Sequence, residues 1–249
     1  KQILNQNILL VSTEGTLSRD EISEPLEELG RNNSVLIESS ITPNPTIEQL
    51  DALIIGLRPN NFDQILAVGG GSVIDAAKIL SVALADKNAF TSDLLSDRSS
   101  IYQAKIPIIA VPTTSGTGAE ITPFATVWDS VAKVKGSFSK PFLVPEESIL
   151  DPIFTRTVPK ATQLDCALDA MSHSLESLWN KNATSLSKIF AAQALQMMTK
   201  TFPLLIEDQA DDSTRASQMM ASHLAGLAIS NTRTAIAHSI SYPLTTQFS

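Results

Sequence analysis

Three groups of residues in the sequence have types and spacings suited to chemistry, and the first is a run of glycines. Gly69–Gly71 follow the apolar run Ile65–Val68 and precede a helix-like stretch. A glycine backbone lets a ligand approach closely, and the first N–H groups of a helix attract anions. The run predicts a pyrophosphate site. An ordinary tight turn is the alternative, because the spacing is not the usual Gly-x-Gly-x-x-Gly fingerprint.

The second group is a loop rich in hydroxyl groups, Pro112–Glu120, which follows the apolar strand-like run Ile106–Val111. Its threonines and serine offer many small hydrogen-bond donors on a bendable backbone beside the glycine loop. By itself this signal is weak, because such runs are usually ordinary loops. Asp75 falls in the first turn of the helix after the glycines, where either helix capping or ligand contact explains a carboxylate.

The third group pairs a carboxylate with an imidazole. Asp169 and His173 are four residues apart, which puts both side chains on one face of a helix. Such a pair is part of a divalent metal site or an ordinary hydrogen bond on a helix surface. His238, in a later helical segment, is a candidate third ligand. We expect His223 to be structural, and Cys166 to be a small buried side chain rather than a ligand or nucleophile.

The elements that must position these groups change in type near residue 152. The first part of the chain alternates strand-like and helix-like segments, which predicts a mainly parallel sheet with helices on its faces. The predicted strands are Ile8–Ser12, Ser34–Glu38, Ile65–Val68 and Ile106–Val111, and the helices between them are Glu21–Leu29, ended by Gly30, then Ile47–Leu57 and Val73–Ala85. Four helical segments follow: Thr162–Trp179, Thr184–Thr201, Ser213–Asn231, and Ala235–Gln247 with an interruption at Pro243.

The composition excludes several classes of protein. The 249 residues carry a net charge of −8 and are 43% hydrophobic, which argues against wholesale disorder and against a general nucleic-acid binder. The apolar runs are too short for a membrane span, and no export signal is visible. The single cysteine cannot form an internal disulfide. We therefore expect a cytoplasmic protein with neither nucleic-acid nor membrane partners.

Taken together and in order, the motifs resemble those of the iron-containing (group III) alcohol dehydrogenase family, part of the dehydroquinate synthase-like superfamily. The resemblance runs from Val35 to the last residue. The motifs that carry it are Pro43–Thr46, Gly69–Ser72 with Asp75 and Lys78, Pro112–Glu120, Asp151-Pro152, Asp169–Glu176, and Asn231 seven residues before His238.

The resemblance implies a Rossmann-like α/β dinucleotide-binding domain (1–151), a helical metal and substrate domain (152–249), and an active site in the cleft between them. Matched residue by residue, the metal ligands are Asp169, His173 and His238. The residues expected to contact NAD(P)(H) are Ser39, Gly69, Gly70, Gly71, Ser72, Asp75, Thr113, Thr114, Thr117 and Lys135, the last of these six residues before Pro141.

Three departures from the family pattern bear on function. A fourth metal ligand would stand beyond Ser249, so we expect the helical domain to be incomplete at its C-terminus. Many members have a histidine thought to relay protons where this chain has Tyr242, which becomes a candidate for that role. Many members that prefer NAD carry an aspartate where this chain has Ser39, which predicts relaxed selectivity between NADH and NADPH.

The resemblance therefore implies an NAD(P)-dependent, divalent-metal-dependent alcohol dehydrogenase or aldehyde reductase. Fe²⁺ is the family's usual metal, although an Asp/His set also suits Zn²⁺, Mn²⁺ or Co²⁺. The expected substrate is a small alcohol or aldehyde, with phosphonoacetaldehyde suggested by the run His238–Leu244, and a homodimer is expected. The alternatives are a dehydroquinate synthase-like lyase, a maleylacetate reductase, which the retained metal ligands disfavour, and a non-catalytic nucleotide-binding protein.

Overall fold

The computed structural model describes residues 4–96 and 101–248, and these form two compact units. The first unit comprises Lys1–Val111 and Pro123–Ile149, and the second comprises Pro112–Thr122 and Leu150–Ser249. The loop 112–122 therefore belongs to the helical unit, although it precedes residue 152 in the sequence. Both predicted classes of structure are present, a sheet with helices and a helical unit.

The first unit is organised by a five-stranded sheet. Its strands, in spatial order, are β2 (Ser34–Glu38), β1 (Asn7–Val11), β3 (Gln64–Gly69), β4 (Ile108–Pro112) and β7 (Glu147–Ser148). The pairs β1–β2, β1–β3 and β4–β7 are parallel. Every residue of β4 is buried, as expected for a central strand covered on both faces.

Helices connect these strands: α1 (Glu14–Leu17), α2 (Asp20–Asn32), α3 (Ile47–Leu57), α4 (Gly71–Ala85) and α5 (Thr91–Leu95). Thr46 starts α3, because its side-chain oxygen accepts a hydrogen bond from the Gln49 N–H. The predicted end of α2 at Gly30 is wrong, since the helix continues to Asn32 and contains Pro25. Glycine lowers helix stability without preventing a helical backbone.

An antiparallel hairpin of β5 (Phe124–Asp129) and β6 (Val134–Ser139) completes the first unit and was not predicted. Lys133, at the hairpin turn, has a φ of 54°. Two short 3₁₀ helices, Pro141–Leu143 and Pro152–Thr155, follow in the chain.

The second unit contains α6 (Lys160–Trp179), α7 (Ser185–Ile206), α8 (Asp212–Thr232) and α9 (Ile236–Phe248). Side-chain caps start α7 at Thr184 and α8 at Asp211. Alanines and one methionine form a buried cluster between the helices: Ala170, Ala194, Met198, Ala221 and Ala225. The predicted interruption at Pro243 is wrong, because α9 runs through that residue. Within the described ranges, no helix is long and apolar enough to cross a membrane.

Two glycine substitutions should change stability in opposite directions. A Cβ on Gly69 would lie 2.6 Å from Val73 Cγ2, whereas a Cβ on Gly30 would meet nothing within 4 Å. Gly69→Ala should lower the free energy of unfolding by about 1–3 kcal/mol through overpacking. Gly30→Ala should raise it by about 0.5–1 kcal/mol. Urea unfolding measures both, and equal effects of the two substitutions would contradict the packing at the end of β3.

Candidate active site

One face of α6 carries the groups with the clearest chemistry. Asp169, His173 and Glu176 follow each other at intervals of four and three residues, so all three side chains lie on one side of the helix. His173 and Glu176 are buried, and the Asp169 side chain is 35% exposed. His238, in the first turn of α9, faces them.

The three predicted metal ligands come together at short distances. Asp169 Oδ1 lies 3.6 Å from His173 Nε2 and 3.2 Å from His238 Nε2. The two imidazole rings stack with their centroids 4.6 Å apart. One donor atom from each residue lies within 4.8 Å of the other two.

These spacings fit a divalent metal. Donors about 2.0–2.2 Å from a tetrahedral ion stand about 3.3–3.6 Å from one another. One carboxylate oxygen and two imidazole nitrogens are also a donor set that suits Fe²⁺, Zn²⁺ and related ions. The geometry therefore supports a metal centre over a hydrogen bond confined to one helix surface, because His238 comes from a different helix.

The charges around the triad also favour a cation there. Burial tends to lower the pKa of His238, but hydrogen bonds and charge from Asp169 and Glu176 raise the pKa overall. A positive charge at this point, either a proton on His238 or a metal ion bound by the triad, is thus favoured. Burial lowers the pKa of His173, which keeps its imidazole neutral, the form that binds metals.

Glu176 joins α6 to the start of α9. Its Oε2 accepts hydrogen bonds from His238 Nδ1 at 2.6 Å and from the Ala235 N–H at 2.9 Å, and its Oε1 accepts one from the Ala237 N–H at 2.7 Å. Burial opposes ionisation, but these hydrogen bonds lower the pKa of Glu176 overall. No role was predicted for Glu176: its spacing from Asp169 places it on the same face of α6 but does not indicate its partners in α9.

The turn between α8 and α9 is strained. Arg233 has φ 64° and ψ 175°, a region that residues other than glycine rarely adopt and that costs about 1–3 kcal/mol. Its N–H donates to Ile229 O at 2.7 Å, and Thr232 Oγ1 donates to Arg233 O at 2.9 Å. These contacts fix the turn that returns the chain from α8 to α9.

Tyr242 lies one turn after His238 on α9. The centroids of the two rings are 6.4 Å apart in an edge-on arrangement. Its hydroxyl lies 3.4 Å from Thr234 Oγ1.

The glycine loop connects β3 to α4 in the first unit. Gly70 precedes the helix with φ −78° and ψ −171°, and no side chain caps the helix start. The first turn of α4 therefore presents N–H groups in the manner of an anion site. Ser72 Oγ accepts a hydrogen bond from the Asn44 N–H at 3.1 Å, which ties the turn Pro43–Thr46 to this loop.

Asp75 and Lys78 hold the hairpin against α4. Asp75 Oδ2 accepts a hydrogen bond from the Thr126 N–H at 2.9 Å, and burial raises the pKa of Asp75. Lys78 is fully buried and donates to Phe124 O at 2.8 Å. Lys135, opposite Trp128 in the hairpin, is among the positive charges that act on Asp75.

Ser39 is half-buried and follows β2 directly. The neighbouring Glu38 carboxylate turns back on the chain, where its Oε1 accepts hydrogen bonds from Ser40 N at 2.7 Å and from Ser40 Oγ at 2.6 Å. The Glu38 carboxylate is therefore already hydrogen-bonded to the adjacent Ser40.

The hydroxyl loop 112–122 is fastened to α8 at three points. Glu120 Oε1 lies 3.0 Å from His223 Nδ1, and Ser230 Oγ donates to Ile121 O at 3.0 Å. Gly118 has a φ of +61°, and a Cβ there would lie 2.6 Å from Gly226 Cα. His223 thus holds a loop and is not part of the triad.

The loop also borders a pocket within the helical unit. Its lining comprises Thr114, Ser115, Thr155, Val158, Gln163, Cys166, Leu205, Arg215 and Gln218. Burial, followed by the charge of Asp169, raises the pKa of the Cys166 thiol to about 11.

Comparison with known proteins identifies the family. Residues 1–152 match the model for iron-containing alcohol dehydrogenases, and residues 163–249 match the C-terminal model of the same family. The chain belongs to the iron-containing alcohol dehydrogenase family.

Among its relatives in this family, long-chain-alcohol dehydrogenase 1 of Geobacillus thermodenitrificans is 30% identical over 92% of this chain and 57% of its own length. A phosphonoacetaldehyde reductase of Streptomyces viridochromogenes is 33% identical over 80% of this chain and 52% of its own length. The crystal structure of a Bifidobacterium kashiwanohense sulfoacetaldehyde reductase in complex with NAD⁺ matches with a TM-score of 0.89 and 26% identity, covering 97% of this chain and 64% of that one. The chain thus spans about half to two thirds of the length of these relatives.

Cys166, the single cysteine, should react slowly with alkylating agents. With a pKa of about 11, only about one thiol in a thousand is ionised at about pH 8, and the thiolate is the reactive form. Iodoacetamide labelling should therefore accelerate with pH up to about 11 and be much faster in denaturant. Equal rates for folded and unfolded chain at pH 8 would show that the thiol is not perturbed.

Proposed function

We propose that this chain supplies the nucleotide loops and metal centre of an NAD(P)-dependent, divalent-metal-dependent alcohol dehydrogenase or aldehyde reductase. Hydride would pass between nicotinamide and a small alcohol or aldehyde. The observation that carries the proposal is the triad, in which Asp169 Oδ1 lies 3.2–3.6 Å from the Nε2 atoms of two histidines on different helices. Membership of the family supports it.

The residues have distinct parts in this proposal. Asp169, His173 and His238 would hold the metal, with Fe²⁺ preferred and Zn²⁺ or another divalent ion acceptable. A bound metal of this kind supplies Lewis acidity that polarises a carbonyl or stabilises an alkoxide. The neutral imidazole of His173 and the ionised carboxylate of Asp169 supply donor atoms without moving a proton.

The proposed cofactor contacts are assigned loop by loop. We assign the pyrophosphate to Gly69, Gly70, Gly71 and Ser72, and the nicotinamide half to Thr113, Thr114 and Thr117. Ser39 would face the adenosine ribose. Asp75 would act by holding the hairpin that carries Lys135, which would contact the cofactor directly.

Tyr242 is the proposed proton relay, with the neighbouring Thr234 hydroxyl as its partner. A hydroxyl pair can accept and release a proton in the same step, since each oxygen is both donor and acceptor. We further propose a cytoplasmic homodimer.

Small aldehydes are the proposed substrates. Phosphonoacetaldehyde and sulfoacetaldehyde belong in the set to be tried, because a relative and a structural neighbour are named for them. Reductase assays with each aldehyde, with NADH and NADPH, and with Fe²⁺ or Zn²⁺ restored, test the proposal. Nucleotide binding without turnover on any aldehyde or alcohol would favour a non-catalytic nucleotide-binding protein, and elimination chemistry without net oxidation would favour a lyase.

Removing one metal ligand should separate chemistry from cofactor binding. His173→Ala is expected to abolish turnover, because the triad loses an imidazole donor. It should leave the Kd for NAD(H) within about threefold of the wild-type value, since the glycine loop lies on other elements. Fluorescence titration of NADH measures the Kd.

Gly70→Val is the reciprocal control. The Gly70 backbone conformation is one that any residue adopts, so valine tests ligand access rather than strain. Its side chain should obstruct the pyrophosphate and weaken NAD(H) binding at least about tenfold. Parallel losses of cofactor affinity and turnover in His173→Ala would contradict this division of roles.

Cofactor choice should respond to Ser39. A carboxylate after a nucleotide-binding strand bonds the ribose hydroxyls and repels a 2′-phosphate, whereas serine carries no charge. We expect NADPH to be accepted, and Ser39→Asp to shift kcat/KM towards NADH. A wild-type preference for NADH above about a hundredfold, or about 2.7 kcal/mol, would assign the discrimination to another residue. Glu38→Gln then tests the adjacent carboxylate.

A further inference from the structure

Glu176 has an unusual position for a carboxylate. Its side chain is 1% exposed, and its hydrogen bonds all run to one short segment, the start of α9. Besides the three contacts already described, Oε1 lies 3.4 Å from the His238 N–H. A buried ionised group is costly unless such contacts compensate it. The loss of any of these bonds would therefore leave a buried charge without compensation.

We infer that Glu176 is a positioning residue for the metal centre, which fixes both the tautomer of His238 and the point at which α9 begins. The inference rests on the proposed function in that it requires the triad to bind a metal. Glu176 itself contributes no donor atom to the triad.

The tautomer follows from the hydrogen bond between the two side chains. An ionised carboxylate only accepts, so a His238 that has given up its Nε2 proton to make room for a metal keeps its other proton on Nδ1, 2.6 Å from Glu176 Oε2. Nε2 then carries the lone pair, and Nε2 is the atom that faces Asp169 Oδ1 at 3.2 Å. With the other tautomer, the lone pair would face Glu176 and the triad would lose a donor.

The position of His238 depends on the same carboxylate through the backbone. The Ala235 and Ala237 N–H groups belong to the start of α9, where a helix leaves its N–H groups without internal partners. Glu176 accepts from both and thereby places the first turn of α9 against α6. Because His238 lies in that turn, one side chain sets the location and the orientation of the ligand.

Glu176→Gln tests this inference, since glutamine keeps the shape but can present an amide N–H to His238. The probe is Co²⁺, followed by its visible absorption. We expect Glu176→Gln to raise the Kd for Co²⁺ by about 10–100-fold. Thermal unfolding of the metal-free protein, measured alongside, reports any structural loss.

Glu120→Gln is the matched control. Glu120 is also a buried carboxylate in the helical unit, and it faces a histidine, His223, at 3.0 Å, away from the triad. This variant should alter the Kd for Co²⁺ by less than about twofold, whatever its unfolding temperature. Equal losses of affinity in Glu120→Gln and Glu176→Gln would overturn the inference, because both would then reflect general destabilisation.

The route through His238 is tested in a His238→Ala background. There Glu176→Gln should change the remaining Co²⁺ affinity by less than about twofold, because the ligand that it orients is gone. A full additional loss would overturn the inference. NMR of the imidazole nitrogens in the wild type loaded with diamagnetic Zn²⁺ should find the His238 proton on Nδ1. If Co²⁺ does not bind the wild type at all, the proposed function fails, whereas wild-type binding unchanged by Glu176→Gln refutes only the inference.

Discussion

The need to neutralise two carboxylates on the inner face of α6 governs the arrangement of the helical unit around the triad. Asp169 and Glu176 are two turns apart, and His238 lies between their oxygens, with one ring nitrogen on each. A single imidazole from α9 therefore contacts both groups. That helix is far in sequence from α6, so the pairing closes the unit as well as forming the site.

The turn before α9 also helps to bring His238 to the face of α6. Arg233 holds a backbone conformation that costs free energy. That conformation places the residues that follow it against Glu176. Strain in the connection is thus offset by hydrogen bonds at the start of the helix.

Local signals in the sequence predicted much of this structure. The cap at Thr46 predicted α3 with its observed bounds, and the Asp169/His173 spacing identified two of the three triad residues. The hairpin β5–β6 was missed because its strands mix polar and apolar residues without a clear alternation. The role of Glu176 could not be derived in advance, since its partners lie about sixty residues away and depend on the turn at Arg233.

The packing of the hydroxyl loop on α8 has a consequence for how this protein can be recombined with its relatives. A Cβ on Gly118 would lie 2.6 Å from Gly226 Cα, and a Cβ on Gly226 would lie 3.0 Å from Gly118 Cα and 2.7 Å from Ile121 Cγ2. Neither position therefore has room for a side chain while its neighbour stays in place. A chimera with its crossover between residues 122 and 212 would join a loop from one parent to a helix from another. Such a chimera retains the loop geometry only if the parent of the loop supplies Gly118 and the parent of α8 supplies Gly226. The loop and α8 are therefore best exchanged together, despite their distance in the chain.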